Sequence, residues 1–114
     1  MKIIRKDQTE TFKNGNNCIA IEYPSDDKDI NGAIIELTGR YPDKGKSVNL
    51  KSKELAYIIK GFGRVVINNE EFEISEGDLI YIEPNEKIHW EGNLTMFLPC
   101  TPAWTKEQYK KIDE

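Results

Sequence analysis

Apolar residues in this chain come in short runs, and a turn-forming residue closes nearly every run. Cys18-Ile19-Ala20-Ile21-Glu22-Tyr23 stops at Pro24, and Ala33-Ile34-Ile35-Glu36-Leu37-Thr38 stops at Gly39. Leu55-Ala56-Tyr57-Ile58-Ile59 ends before Gly61, and Leu79 to Glu83 ends at Pro84. Runs of this length are too short for helices with a 3.6-residue stripe, and they suit strands. Ser47 to Leu50 and Leu94 to Leu98 add two more. Gly63 to Ile74 reads as a hairpin around Asn68-Asn69, because Asn tolerates the positive φ of a two-residue turn. Roughly eight strands at spacings near ten residues describe an all-β sandwich or barrel.

The remaining segments are minor. Residues 1–15 are polar and read as an arm with one short strand. Thr105-Lys106-Glu107-Gln108 has the pattern of a capping box and predicts a short C-terminal helix. No linker or repeat divides the chain, so residues 1–114 read as a single domain, with the barrel core at about 17–100 and a tail at 101–114.

Composition narrows the partners. Sixteen Lys and Arg against 20 Asp and Glu leave a net charge of −4, the wrong sign for a nucleic-acid backbone binder. No apolar run approaches the roughly 20 residues of a membrane span. The opening MKIIRKDQTE lacks the apolar core of a signal peptide, so the expected location is cytoplasmic. Cys18 and Cys100 form no CxxC pair and read as two reduced thiols. In 55–59, Ala56 and Ile58 oppose Tyr57 and Ile59; in 79–82, Leu79 and Tyr81 oppose Ile80 and Ile82. Strands apolar on both faces need cover on both, which predicts a homodimer.

The chain has one histidine, His89. It follows the turn Gly77-Asp78, the strand Leu79–Glu83 and a second turn at Pro84. This segment resembles the second motif of the cupin superfamily: a Gly, then Pro-x-Gly, two residues, His, three residues, Asn. Pro84, His89 and Asn93 match. Glu86 stands at the motif's Gly, and the interval from Gly77 to Pro84 is one residue longer than usual. The first cupin motif is His-x-His, three or four residues, Glu, six residues, Gly. Glu54 and Gly61 match at the required spacing, whereas the two histidines fall on Ser47 and Asn49. The resemblance spans about residues 32 to 100 and implies a cupin-type double-stranded β-helix, or jelly-roll barrel.

In metal-bearing cupins these four positions ligate Mn, Fe, Zn or Ni. Only Glu54 and His89 survive here, and one carboxylate with one imidazole makes a poor transition-metal site. The expectation is therefore no cofactor and no tightly held metal. Any weakly bound divalent ion would use Asn49, Glu54 and His89. The resemblance instead implies that Ser47, Asn49, Glu54 and His89 line the lumen and bind a small polar, carbohydrate-like molecule. Glu54 and His89 would be the catalytic acid/base pair of a metal-independent isomerase, epimerase or lyase. Two alternatives stand beside this: a non-catalytic binding or sensing module, and a metal-dependent cupin with the atypical Asn49/Glu54/His89 set. By strand alternation, Trp90 is expected to face away from the lumen, Tyr57 and Tyr81 to lie outside, and Trp104 to pack over the barrel edge.

Overall fold

The computed structural model describes residues 1–113. Its strands are β1 (Glu10–Asn14), β2 (Cys18–Glu22), β3 (Asn31–Tyr41), β4 (Lys46–Asn49), β5 (Lys53–Ile67), β6 (Glu70–Ser75), β7 (Leu79–Ile82), β8 (Ile88–Thr101) and β9 (Tyr109–Ile112). They form one antiparallel sheet that curls into a jelly-roll half-barrel. Its main path runs β1-β2-β3-β8-β4-β9, and β5 joins β8 while also pairing with β6 and β7. Among the described residues, the helical parts are two 3-10 turns, Lys6–Gln8 and Lys106–Gln108. None is long or apolar enough to cross a membrane.

Strand β8 organises the sheet. It pairs with β3 from Asn31↔Cys100 to Tyr41↔Trp90, and with β5 from Lys53↔Thr101 to Ile67↔Ile88. The inner face of β8 carries Ile88, Trp90, Leu94, Met96 and Cys100, all buried. Opposite them lie Leu37 of β3 and Ala56, Ile58 and Val65 of β5, in one apolar core. The β5–β6 hairpin turns at Asn68 and Asn69, with φ of 50° and 69°. It closes with Ile67↔Glu70, as the Asn-Asn pair predicts.

The inward parity of β5 changes along its length. Glu54, Ala56 and Ile58 face inward at even positions, whereas Val65 faces inward at an odd one. An irregularity in register between Ile58 and Lys60 inserts the extra residue. Gly61 follows at φ +97°, and a Cβ there would collide with the Asn93 carbonyl of β8. The Glu-to-Gly spacing of the first motif thus sets the distance from the buried carboxyl to this bulge. Gly61→Ala is expected to destabilise the protein by about 3 kcal/mol, through left-handed strain plus a backbone clash. Urea denaturation would measure it; a loss within error of zero would mean that the β5–β8 crossing relaxes freely.

The tail differs from expectation. Lys106–Gln108 makes only a 3-10 turn, with no side-chain cap bond from Thr105. The chain then runs as β9 along β4, from Lys46↔Ile112 to Asn49↔Tyr109. A free strand edge offered a full ladder of backbone bonds, and these outweighed the local capping pattern. Gln108 is buried at this corner. Its Oε1 accepts from the Lys51 and Ser52 amides at 2.9 and 2.7 Å, and its Nε2 donates to Ser52 Oγ at 2.7 Å.

Candidate functional site

The inner face becomes polar where β4, β9 and the start of β5 meet. Ser47 pairs with the inward Ile88, so Ser47 and Asn49 point into the half-barrel. Glu54, opposite Cys100, points there too. Cys100 Sγ donates to Glu54 Oε2 at 3.2 Å. The Asn49 amide also bonds the Glu54 carboxyl. Asn49 Oδ1 in turn accepts from Trp104 Nε1 at 2.9 Å. Beside this group, the Tyr41 and Tyr109 hydroxyls lie 2.5 Å apart, and Ser47 bonds Tyr109. The Trp104 and Tyr109 rings meet at 5.7 Å. Lys111, paired with Ser47, places its Nζ 5.6 Å from the Tyr41 ring centre.

Burial dominates the protonation of this cluster. Loss of water pushes the Glu54 carboxyl up, and the hydrogen bonds from Cys100 and Asn49 offset this only in part. The Cys100 thiol is pushed up by burial and then by the Glu54 charge. Burial likewise raises the Tyr41 and Tyr109 phenols. Glu54 has a thiol and an amide as partners rather than a cation, so the upward push of burial prevails.

His89 lies on the opposite face of β8. Its neighbours Ile88 and Trp90 take the inward positions, and its cross-strand partner Val66 faces outward next to the buried Val65. His89 Nδ1 sits 2.5 Å from Lys46 Nζ, and Nε2 lies 3.6 Å from Glu91 Oε1. An ammonium only donates, so Nδ1 accepts and the ring proton sits on Nε2. Burial, followed by the charges of Arg40 and Lys46, lowers the imidazole below its usual range against the opposing pull of Glu91. The structure therefore brings Ser47, Asn49 and Glu54 together and keeps His89 apart from them. Neither the Glu54–His89 acid/base pair nor the Asn49/Glu54/His89 metal set is assembled. Trp90, expected outside, is in the core.

The turn before β8 explains the inversion. Asn85 has φ of 70°, the left-handed conformation that the motif's Gly supplies. Counting from Asn85, two residues lead to Ile88, which faces inward at the place of the family's histidine. This frame also removes the extra residue between Gly77 and the turn. The four metal-ligand positions of the family therefore hold Ser47, Asn49, Glu54 and Ile88. A hydroxyl, an amide, one carboxyl and a hydrocarbon do not fit a transition-metal centre. Among the described residues, no group of three or more His, Cys, Asp or Glu is placed to hold a metal ion.

Sequence reading missed Tyr41, Cys100 and Tyr109 as members of this site. Tyr41 was findable: it shares strand parity with Leu37, the core residue of β3. Tyr109 lay in the stretch read as helix. Trp104 meets the Tyr109 ring and bonds Asn49.

Comparison with known proteins agrees with this architecture. Residues 42–97 match the model of the EutQ-like cupin domain. An uncharacterised protein of Methanocaldococcus jannaschii is 41% identical over 66 residues, covering 54% of this chain and 53% of that protein. The chain thus spans about half the length of that curated relative. The Streptomyces nucleoside dehydratase Pac13 superposes with a TM-score of 0.90 at 20% identity, covering 99% of this chain and 92% of that one. Ectoine synthase from P. lautus gives 0.74 at 14% identity, covering 98% and 90%. The Clostridium difficile EutQ protein gives 0.63 at 18% identity, covering 75% and 63%. With Glu54 and Gly61 at motif spacing, the jelly-roll half-barrel and these matches, the chain is a small cupin-superfamily domain.

Proposed function

We propose that this cupin binds a small, hydroxyl-bearing polar molecule on its inner face, held by Tyr41, Ser47, Asn49, Glu54 and Tyr109 without a tightly bound metal. The observation that carries the reading is Glu54. This carboxyl is buried beside a thiol and an amide, burial holds it above the usual carboxylate range, and when protonated it can donate as well as accept hydrogen bonds. The clustered hydroxyls and amide match the donors and acceptors of a sugar or nucleoside. The fold is shared with a nucleoside dehydratase, Pac13, whose structure with uridine superposes at a TM-score of 0.91. The two free buried thiols, Cys18 pushed up to about 11 by burial and then by Asp43, suit a reducing, cytoplasmic setting.

Proton transfer is the second reading, favoured by the raised Glu54 carboxyl. A neutral buried acid can protonate a leaving hydroxyl or a developing alkoxide, as dehydration or epimerisation requires. Glu54 would be the acid; His89, on the other face, takes no part.

Calorimetric titration of the purified protein against a panel of nucleosides, uridine included, and sugar acids tests the proposal. Glu54→Gln and Ser47→Ala should each weaken the best binder at least tenfold. His89→Ala should leave its affinity within about twofold, since removing a group outside the site costs little. Binding that survives Glu54→Gln and Ser47→Ala, or is lost in His89→Ala alone, would overturn the assignment. So would stoichiometric metal retained through chelator dialysis and released by Glu54→Gln.

A further inference from the structure

Strand β9 divides its side chains between the two faces of the sheet. Lys110 pairs with Val48 and faces outward, whereas Tyr109 pairs with Asn49 and Lys111 with Ser47, both on the inner face. Lys111 thus stands one strand beyond Ser47, on the last strand of the sheet's main path. Its Nζ lies 5.6 Å from the centre of the Tyr41 ring. The hydroxyl of that ring is the one 2.5 Å from the Tyr109 hydroxyl. The ammonium therefore borders the hydroxyl cluster of the inner site, while its neighbour Lys110 turns away from it.

A ring face attracts an ammonium but does not neutralise its charge. Among the described residues, Lys111 makes no ion pair. Asp113, two residues on, does not pair with it. Neither does Asp43, whose carboxylate accepts from the Asn16 amide at 3.1 and 3.2 Å. Glu54, the carboxyl of the inner cluster, is engaged by Cys100 and Asn49. Three N–H donors on a full positive charge thus stand beside hydroxyls and an amide with no anion to meet them, and an anionic oxygen is their strongest acceptor. Neighbouring strands lie about 5 Å apart, so an anion on Lys111 would sit about that far from a ligand hydroxyl held by Ser47. Sugar acids and sugar phosphates carry a hydroxyl and an anion at such a separation.

We infer that the ligand of the inner face carries an anionic group, a carboxylate or a phosphate, and that Lys111 selects it. This deepens the inner-face reading above and rests on it. Calorimetric titration with matched pairs tests it: uridine against uridine 5′-monophosphate for the phosphate, and glucose against glucuronate for the carboxylate. The anionic member of at least one pair should bind about tenfold tighter, the scale of one charge-assisted hydrogen bond, and the pair that responds names the anion. Lys111→Gln should remove that advantage while leaving the neutral member within about twofold. Lys110→Gln, the same charge change on the outer side of the same strand, should preserve it. The advantage should also shrink as salt is raised, because an exposed ion pair is screened. Glu54→Gln should weaken both members of the pair. Equal affinities within both pairs, or an advantage that survives Lys111→Gln or is lost in Lys110→Gln, would overturn the inference and leave the inner-face reading standing. Failure of every ligand to bind, or binding indifferent to Glu54→Gln, would overturn that reading and the inference with it.

Discussion

Ile58→Ala should cost about 3–4 kcal/mol and lower the melting temperature by about 15 °C. Ile58 is 0% exposed and pairs with Met96 at the centre of the β5–β8 ladder. The Gly61 bulge lies just beyond it, and tight backbone crossings on that side leave little freedom to collapse around a cavity. Poor relaxation puts the loss in the upper half of the range for such truncations. Phe62→Ser, four residues on but 71% exposed, should change stability by under about 0.5 kcal/mol. Paired thermal and urea melts would check both. Equal losses at the two positions would contradict the inner and outer assignment of β5.

The second large effect depends on pH. The folded Glu54 carboxyl is raised above its unfolded value by burial. Between those two values the unfolded chain releases the proton while the folded chain keeps it. Stability contributed by the neutral carboxyl is therefore full below the unfolded value and declines as pH rises through the window. Glu54→Gln keeps the shape and removes the titration. It should melt near the wild type at acid pH and above it at alkaline pH, by on the order of 2 kcal/mol. Melting curves of both proteins between acid and mildly alkaline pH test the sign. Parallel curves would mean that Glu54 is ionised in the folded protein, with a partner other than its thiol and amide.

Much of the fold was legible because its determinants are local. Asn68-Asn69 states its turn in two residues, whereas the run 55–59, apolar on both faces, states a strand without saying that Ala56 and Ile58 are the buried side. The Glu54–Gly61 spacing was legible as a pattern, and the structure supplies its cause, a bulge that lets β5 cross β8. The second motif misled because it was read by residue type rather than by backbone conformation. What the turn needs is a left-handed residue, and Asn85 provides it one position before Glu86, where the Gly was sought. That single step moved His89 from the inner face to the outer, since strand parity inverts with every residue. The tail misled for the opposite reason. Thr105 to Gln108 carries a valid local signal, but the ladder offered by β4, nearly sixty residues earlier, is not visible in it. The Tyr41–Tyr109 contact joins residues 68 apart, beyond any local pattern.

The position of β9 also orders events during synthesis. A chain emerging from the ribosome exposes β1 to β8 first, and β4 then has an open edge facing β9's empty place. Until Tyr109–Ile112 has emerged, Tyr41 lacks its phenol partner and the Gln108 corner that closes over Ser52 is absent. An unpaired edge beside an unfinished polar cluster is the kind of surface that recruits wrong strands. The nascent barrel is thus most exposed to misassembly just before β9 arrives, and that strand both covers the β4 edge and brings Tyr109 to Tyr41.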